Sequence, residues 1–230
     1  MVKPSAAPGA SITICPNGPY VVSGGVPLSE QSIVVNAAGD SIDYQQGRLY
    51  PSQATFELCR CGQSSTKPFC DGTHATVSFD GTTTCSHAPY LEQAETIAGP
   101  VLSITDAKAL CSNARFCDPH GGIWALVKQS DEPDAHQLVV FQASHCPSGR
   151  LIAWERATGQ SIESAHPPSI ALIVDTKEGV NGPIWVRGGI PIHSEMGLAY
   201  EVRQQCTLCR CGRSANKPFC DGAHTPTHSA

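Results

Sequence analysis

Six of the twelve cysteines in this chain of 230 residues fall into two tight clusters, each followed by a histidine. Both copies have the spacing Cys-x-Cys-x2-Ser-x3-Pro-x-Cys-Asp-Gly-x-His, giving the candidate ligand sets Cys59, Cys61, Cys70, His74 and Cys209, Cys211, Cys220, His224. Three soft thiolates and one imidazole suit zinc or an iron-sulfur centre and do not suit Ca²⁺ or Mg²⁺, which prefer oxygen. Disulfide bonding within a cluster is disfavoured, because Cys59/Cys61 and Cys209/Cys211 are each separated by one residue and bridging them imposes severe strain. Zinc sites usually pair cysteines with two to four residues between them, so the tighter spacing here leans only mildly towards iron.

A weaker constellation lies between the copies. Cys111 and Cys117 bracket Ser-Asn-Ala-Arg-Phe, and Cys146 is followed by Pro147-Ser148-Gly149. This resembles single-cluster bacterial ferredoxins in which Ala114 stands where a central cysteine would be, and three such ligands imply a possible third, [3Fe-4S]-type cluster at Cys111, Cys117 and Cys146. No fourth cysteine offers itself for a [4Fe-4S] centre. Cys15, Cys85 and Cys206 carry no motif and read as ordinary buried or free thiols.

The elements that must position these residues repeat with them. Gly18 to Leu28 reads GPYVVSGGVPL and Gly182 to Ile192 reads GPIWVRGGIPI, 164 positions apart, whereas the cysteine pieces LCRCGQSSTKPFCDGTH and LCRCGRSANKPFCDGAH lie 150 apart. The first copy therefore holds 14 additional residues, a size that suggests a surface loop. Each glycine-rich piece predicts a strand, a tight turn and a strand. The Asp-Gly pairs at 71–72 and 221–222 predict one short helical turn with the aspartate as N-cap. Between the copies the repeat is absent. There Thr105-Asp106 predicts an N-cap before an apolar segment through Leu110, and Leu138 to Phe141 and Leu151 to Trp154 predict strands.

The two cysteine pieces resemble the CDGSH iron-sulfur domain of the mitoNEET-like proteins, with Thr73 and Ala223 at the name-giving serine. The resemblance covers all eight candidate ligands, Ser64/Ser214, Pro68/Pro218 and the Asp-Gly pairs, and the preceding GPYVVSGG and GPIWVRGG segments are similar as well. It implies two [2Fe-2S] clusters with three-cysteine, one-histidine ligation. Cys59 and Cys61 would hold the inner iron and Cys70 and His74 the outer one, and Cys209, Cys211, Cys220 and His224 would repeat the scheme. Relatives with one motif per chain form interlaced homodimers, so the resemblance implies a monomer with internal pseudo-two-fold symmetry.

The expected fold is mostly β with a small α+β insertion: a pair of cluster-binding lobes sharing a β region, over 1–78 and 169–230, around a ferredoxin-like middle unit over 79–168. The expected function is electron transfer or iron-sulfur cluster transfer, with a redox partner protein or an apo iron-sulfur acceptor as partner. A structural zinc protein and a redox component of an oxidoreductase are the alternatives; no triad, P-loop or dinucleotide motif suggests an enzyme in its own right. With 15 basic against 20 acidic residues and no basic run, no nucleic-acid surface is expected. The absence of a secretory signal or a long apolar stretch predicts a soluble, cytoplasmic protein without membrane attachment.

Overall fold

The computed structural model describes residues 9–226. In the first copy, β1 (Ser11–Ile14) and β2 (Tyr20–Ser23) form an antiparallel hairpin, and β5 (Thr55–Leu58) pairs with the other side of β2. The second copy builds the same three-strand unit from β10 (Ser169–Asp175), β11 (Val180–Arg187) and β13 (Gln205–Leu208). Each unit delivers its cysteine piece directly from its last strand, so Cys59 and Cys209 sit at equivalent strand ends.

The strand after each Gly-Gly pair does not fold back on its own copy. β3 (Leu28–Val35) pairs in parallel with β10, Leu28 opposite Ile170, and β12 (Ile192–His193) pairs in parallel with β1, Ile192 opposite Ile12. The sequence expectation of strand, tight turn and strand is met, but the turn hands the chain from one sheet to the other instead of closing a hairpin. Gly24 and Gly188 make this possible. Their φ angles are +90° and +75°, and an added Cβ would lie 2.4 Å from Gly9 O or Pro168 N, positions that only glycine tolerates.

The exchange produces two sheets, β12-β1-β2-β5 and β13-β11-β10-β3 with β4 (Ser41–Leu49) at its outer edge. Alternate residues of both inner faces, among them Ile12, Tyr20, Val22, Phe56, Leu58, Ile170, Leu172, Ile184, Val186 and Leu208, form one core drawn from both copies. The two lobes thus share a β region. The 14 extra residues of the first copy are not a loop: they form the far end of β3 and β4. Asn36 turns the chain there, its Oδ1 accepting from Ala38 N and Asp40 N at 2.9 Å each, the local side-chain bonding that favours Asn at turns.

The middle segment has its own antiparallel sheet, β6 (Glu95–Ala98), β7 (Leu102–Asp106), β8 (Leu151–Glu155) and β9 (Gln160–Ile162), with the helix Pro133–Ser144 on one face. The expected strand at Leu151 to Trp154 is β8. Leu138 to Phe141, expected as a strand, lies inside the helix, where Ala135, Val139 and Ala143 recur at the helical spacing and are buried. A four-residue apolar run has no readable period of its own. Thr105-Asp106 ends β7 instead of capping a helix, and only a 3₁₀ turn at Lys108–Leu110 follows. The Asp106 carboxylate is already engaged, accepting from Arg150 Nε at 2.6 Å and Trp124 Nε1 at 3.0 Å. This unit docks through Phe116 and Ala114 on the outer face of β10 and β11, against Ala171, Ile173 and Trp185. That docking explains why β10 reads as a continuous apolar run, buried on both faces.

Candidate metal centres

Within each cysteine piece the loop is closed by its own side chains, identically in both copies. Leu58 and Leu208 form single bridges to Phe69 and Phe219. The buried Ser64 hydroxyl donates to Phe69 O at 2.7 Å and accepts from Thr66 N at 3.1 Å; Ser214 does the same with Phe219 O (2.7 Å) and Asn216 N (3.0 Å). Asp71 accepts from Ser65 N at 2.8 Å and Thr73 N at 3.0 Å, and Asp221 from Ala215 N at 2.7 Å and Ala223 N at 3.1 Å. These bonds hold the Asp71 carboxyl well below the usual carboxylate range. The aspartates therefore tie loop to turn. The residue at the helical N-cap is Gly72, and the turn that follows is a 3₁₀ turn at Thr73–Ala75.

The ligand candidates come together in pairs. Cys59 Sγ and Cys61 Sγ lie 3.7 Å apart, as do Cys209 Sγ and Cys211 Sγ. Cys70 Sγ is 3.3 Å from His74 Nδ1, and Cys220 Sγ 3.4 Å from His224 Nδ1. Two thiolates bound at about 2.3 Å to one tetrahedral metal sit about 3.7 Å apart, and a thiolate with an imidazole about 3.5 Å. Each pair therefore has the spacing of two ligands on one metal, and among the described residues no group of three or more converges on a single ion.

The surroundings of the two sites differ. Cys220 and His224 are buried, at 2% and 8% exposure, whereas Cys70 and His74 are half-buried. Burial pushes the Cys220 thiol up and, with a contribution from the Arg210 charge, lowers the His224 imidazole to about 4. In the pair of buried Cys209 and half-buried Cys211 the shared hydrogen bond favours the thiolate on Cys211, lowered to about 6. Backbone amides support the sulfurs: Gln63 N reaches Cys61 Sγ at 3.4 Å and Gly222 N reaches Cys220 Sγ at 3.4 Å.

Three residues next to these centres were not singled out in the sequence. Arg60 and Arg210 stand between the paired cysteines, and their guanidinium groups are bonded by backbone carbonyls: Arg60 to Cys15 O at 3.2 Å and to Gly81 O, Arg210 to Gly182 O at 2.5 Å and Ile173 O at 2.8 Å. Tyr20 of the first copy crosses to the second, its hydroxyl donating to Cys209 O at 2.8 Å. The repeated Cys-Arg-Cys was a readable signal for the arginines; nothing local marks Tyr20. The two turns meet back to back, so that an added Cβ on Gly62 would lie 2.7 Å from Cys211 O and one on Gly212 2.7 Å from Cys61 O. Among the described residues neither Lys67 nor Lys217 donates to a ligand histidine.

The middle cysteines also come together. Cys111, Cys117 and Cys146 all line one cavity of about 150 Å³, with Trp124, Asp118 and Arg150 on its wall. Burial pushes the Cys117 and Cys146 thiols up, and the neighbouring cysteine charges add to the rise. Trp124 and Arg150 are held by Asp106, so β7 braces one side of the cavity. The unassigned thiols are elsewhere: Cys206 is buried in the shared core, and Cys15 and Cys85 are half-buried.

Comparison with known families agrees with this division. A model described as iron-binding zinc finger, CDGSH type, matches residues 17–75 and again 181–225, and one described as a divergent 4Fe-4S mono-cluster matches residues 97–156. No curated protein matches the chain. The chain thus carries two segments matched by the CDGSH-type iron-binding model, one on each side of a segment matched by the divergent 4Fe-4S mono-cluster model, and together they support iron-sulfur binding.

Proposed function

We propose that this protein holds two [2Fe-2S] clusters, one on Cys59, Cys61, Cys70 and His74 and one on Cys209, Cys211, Cys220 and His224, and serves as an electron or cluster carrier rather than as an enzyme. The observation that carries the proposal is the pairwise arrangement of the ligands. A mononuclear zinc site needs four donors around one point, whereas here each copy offers two separate metal-spaced pairs and no convergent group of three among the described residues. Two pairs suit two metals joined by bridging sulfide.

The chain's own residues favour an anionic group in each site. Arg210 brings positive charge near Cys59 and Cys211, and the amides of Gln63 and Gly222 donate to sulfur, both of which tune a cluster's potential. The histidines add a neutral ligand that protonates and leaves more readily than thiolate, a property useful in both electron and cluster transfer. A redox partner protein or an apo acceptor is the partner that follows from this chemistry.

The middle cavity suits a third cluster on Cys111, Cys117 and Cys146, because all three residues line it. Three cysteines alone suit a [3Fe-4S] form, whereas the match to the divergent 4Fe-4S mono-cluster model favours a four-iron form completed by a further ligand. Twelve free cysteines suit a reducing cytoplasm, and no helix among the described residues is long and apolar enough to cross a membrane.

Iron and acid-labile sulfide per chain, with EPR of the reduced protein, test these assignments together. About four irons per chain are expected from the outer sites alone and about seven with a three-iron middle centre. A colourless, zinc-loaded preparation overturns the reading.

A further inference from the structure

The two outer sites have the same ligands but not the same neighbours. In the second copy the middle segment grips the cysteine loop from both sides. Thr84 N and Cys85 N donate to Lys217 O at 2.8 and 3.0 Å, and Thr84 Oγ1 donates to Ala215 O at 2.7 Å. Asn216 Nδ2 donates to Ala109 O, and Asn113 Nδ2 to Thr225 Oγ1, at 2.9 Å each. The counterparts in the first copy are Ser65, Thr66, Lys67 and Ala75, all exposed. Among the described residues no hydrogen bond reaches those four from outside their own motif. The difference is written in the side chains: Ala75 has no hydroxyl where Thr225 accepts, and Thr66 stands where Asn216 reaches out.

We propose that the two sites do unequal work: the Cys220/His224 site is sealed by the middle segment and retains its metal, while the Cys70/His74 site is the port through which metal is exchanged with a thiolate-bearing acceptor. This rests on the cluster reading above and adds which site acts. Exchange at the open site is ligand substitution without electron transfer. Acceptor thiolates form the new metal bonds as those to His74 and the three cysteines break, and solvent returns protons to the released groups. Asn113, Asn216 and Thr225 are positioning residues in this scheme; they touch the loop and not the metal.

The seal also exists without metal, so it can be tested separately. In metal-free protein, N-ethylmaleimide labelling followed by mass spectrometry of the peptides should modify Cys70 at least about tenfold faster than Cys220, since a closed segment reacts only when it opens. The combined variant Asn113→Ala/Asn216→Ala/Thr225→Val should bring the two rates to within about twofold. Equal rates in the unaltered chain overturn the proposal, whatever the variant does. In loaded protein, bipyridyl should draw iron from a Cys220→Ser chain, which keeps the first site, faster than from a Cys70→Ser chain, which keeps the second. Unequal labelling in a chain that binds no iron leaves the seal standing and fails the cluster reading. Normal iron with equal extraction rates fails the unequal roles alone.

Discussion

Each ligand set is contained in one copy of the repeat, so single cysteine substitutions act locally. Cys70→Ser and Cys220→Ser should each lose about half of the outer-site iron while sparing the other site, and near-normal iron in both variants overturns the assignment. The histidines make the sites sensitive to acid, because only an unprotonated ring nitrogen binds metal. His74 is half-buried and open to solvent, whereas burial, aided by the Arg210 charge, holds His224 down at about 4. An imidazole whose pKa is depressed stays neutral further into acid, so on acidification the more buried second site should keep its metal longer than the first. His74→Cys should remove the early phase and lower that site's potential, since an anionic thiolate favours the oxidised core. One bleaching phase shared by wild type and His74→Cys sinks the argument. At this scale the sequence was nearly transparent, because every candidate ligand lies within sixteen residues of its partners in the chain. What it hid was that one histidine is buried and the other only half-buried.

The crossing between the two sheets depends on glycine. A side chain at Gly24 or Gly188 meets backbone at 2.4 Å in a left-handed conformation, and that conformation alone costs a non-glycine residue about 1–2 kcal/mol. Gly24→Ala and Gly188→Ala should therefore lower Tm by at least about 2–8 °C, whereas Gly25→Ala, with open space around it, should cost less. Calorimetry of the three variants checks this, and equal losses overturn it. Element boundaries were less legible than ligands. Leu138 to Phe141 is an apolar run that a strand and a buried helix accommodate equally, and the side chain of Asp106 was claimed by Arg150 and Trp124 from distant parts of the chain. The 14 extra residues became a strand because Asn36 and Gly39 turn the chain and β3 was waiting as an edge to pair with.

As a whole, the molecule closes on itself. The exchange of β3 and β12 puts both copies into one core, and from this we predict a monomer. Light scattering should give the mass of one chain across dilute concentrations, and an obligate dimer counts against the internal pairing. The candidate ligands, their twofold repetition and the family they resemble were determined by the sequence alone, because thiolate and imidazole chemistry is local and is written in spacing. Which copy's strand pairs with which, the cavity that gathers Cys111, Cys117 and Cys146, and the sealing of one site but not the other were decided only by the tertiary structure. They depend on contacts such as Tyr20 to Cys209 and Asn113 to Thr225, separated by 189 and 112 positions in the chain, and no local pattern encodes a partner that far away.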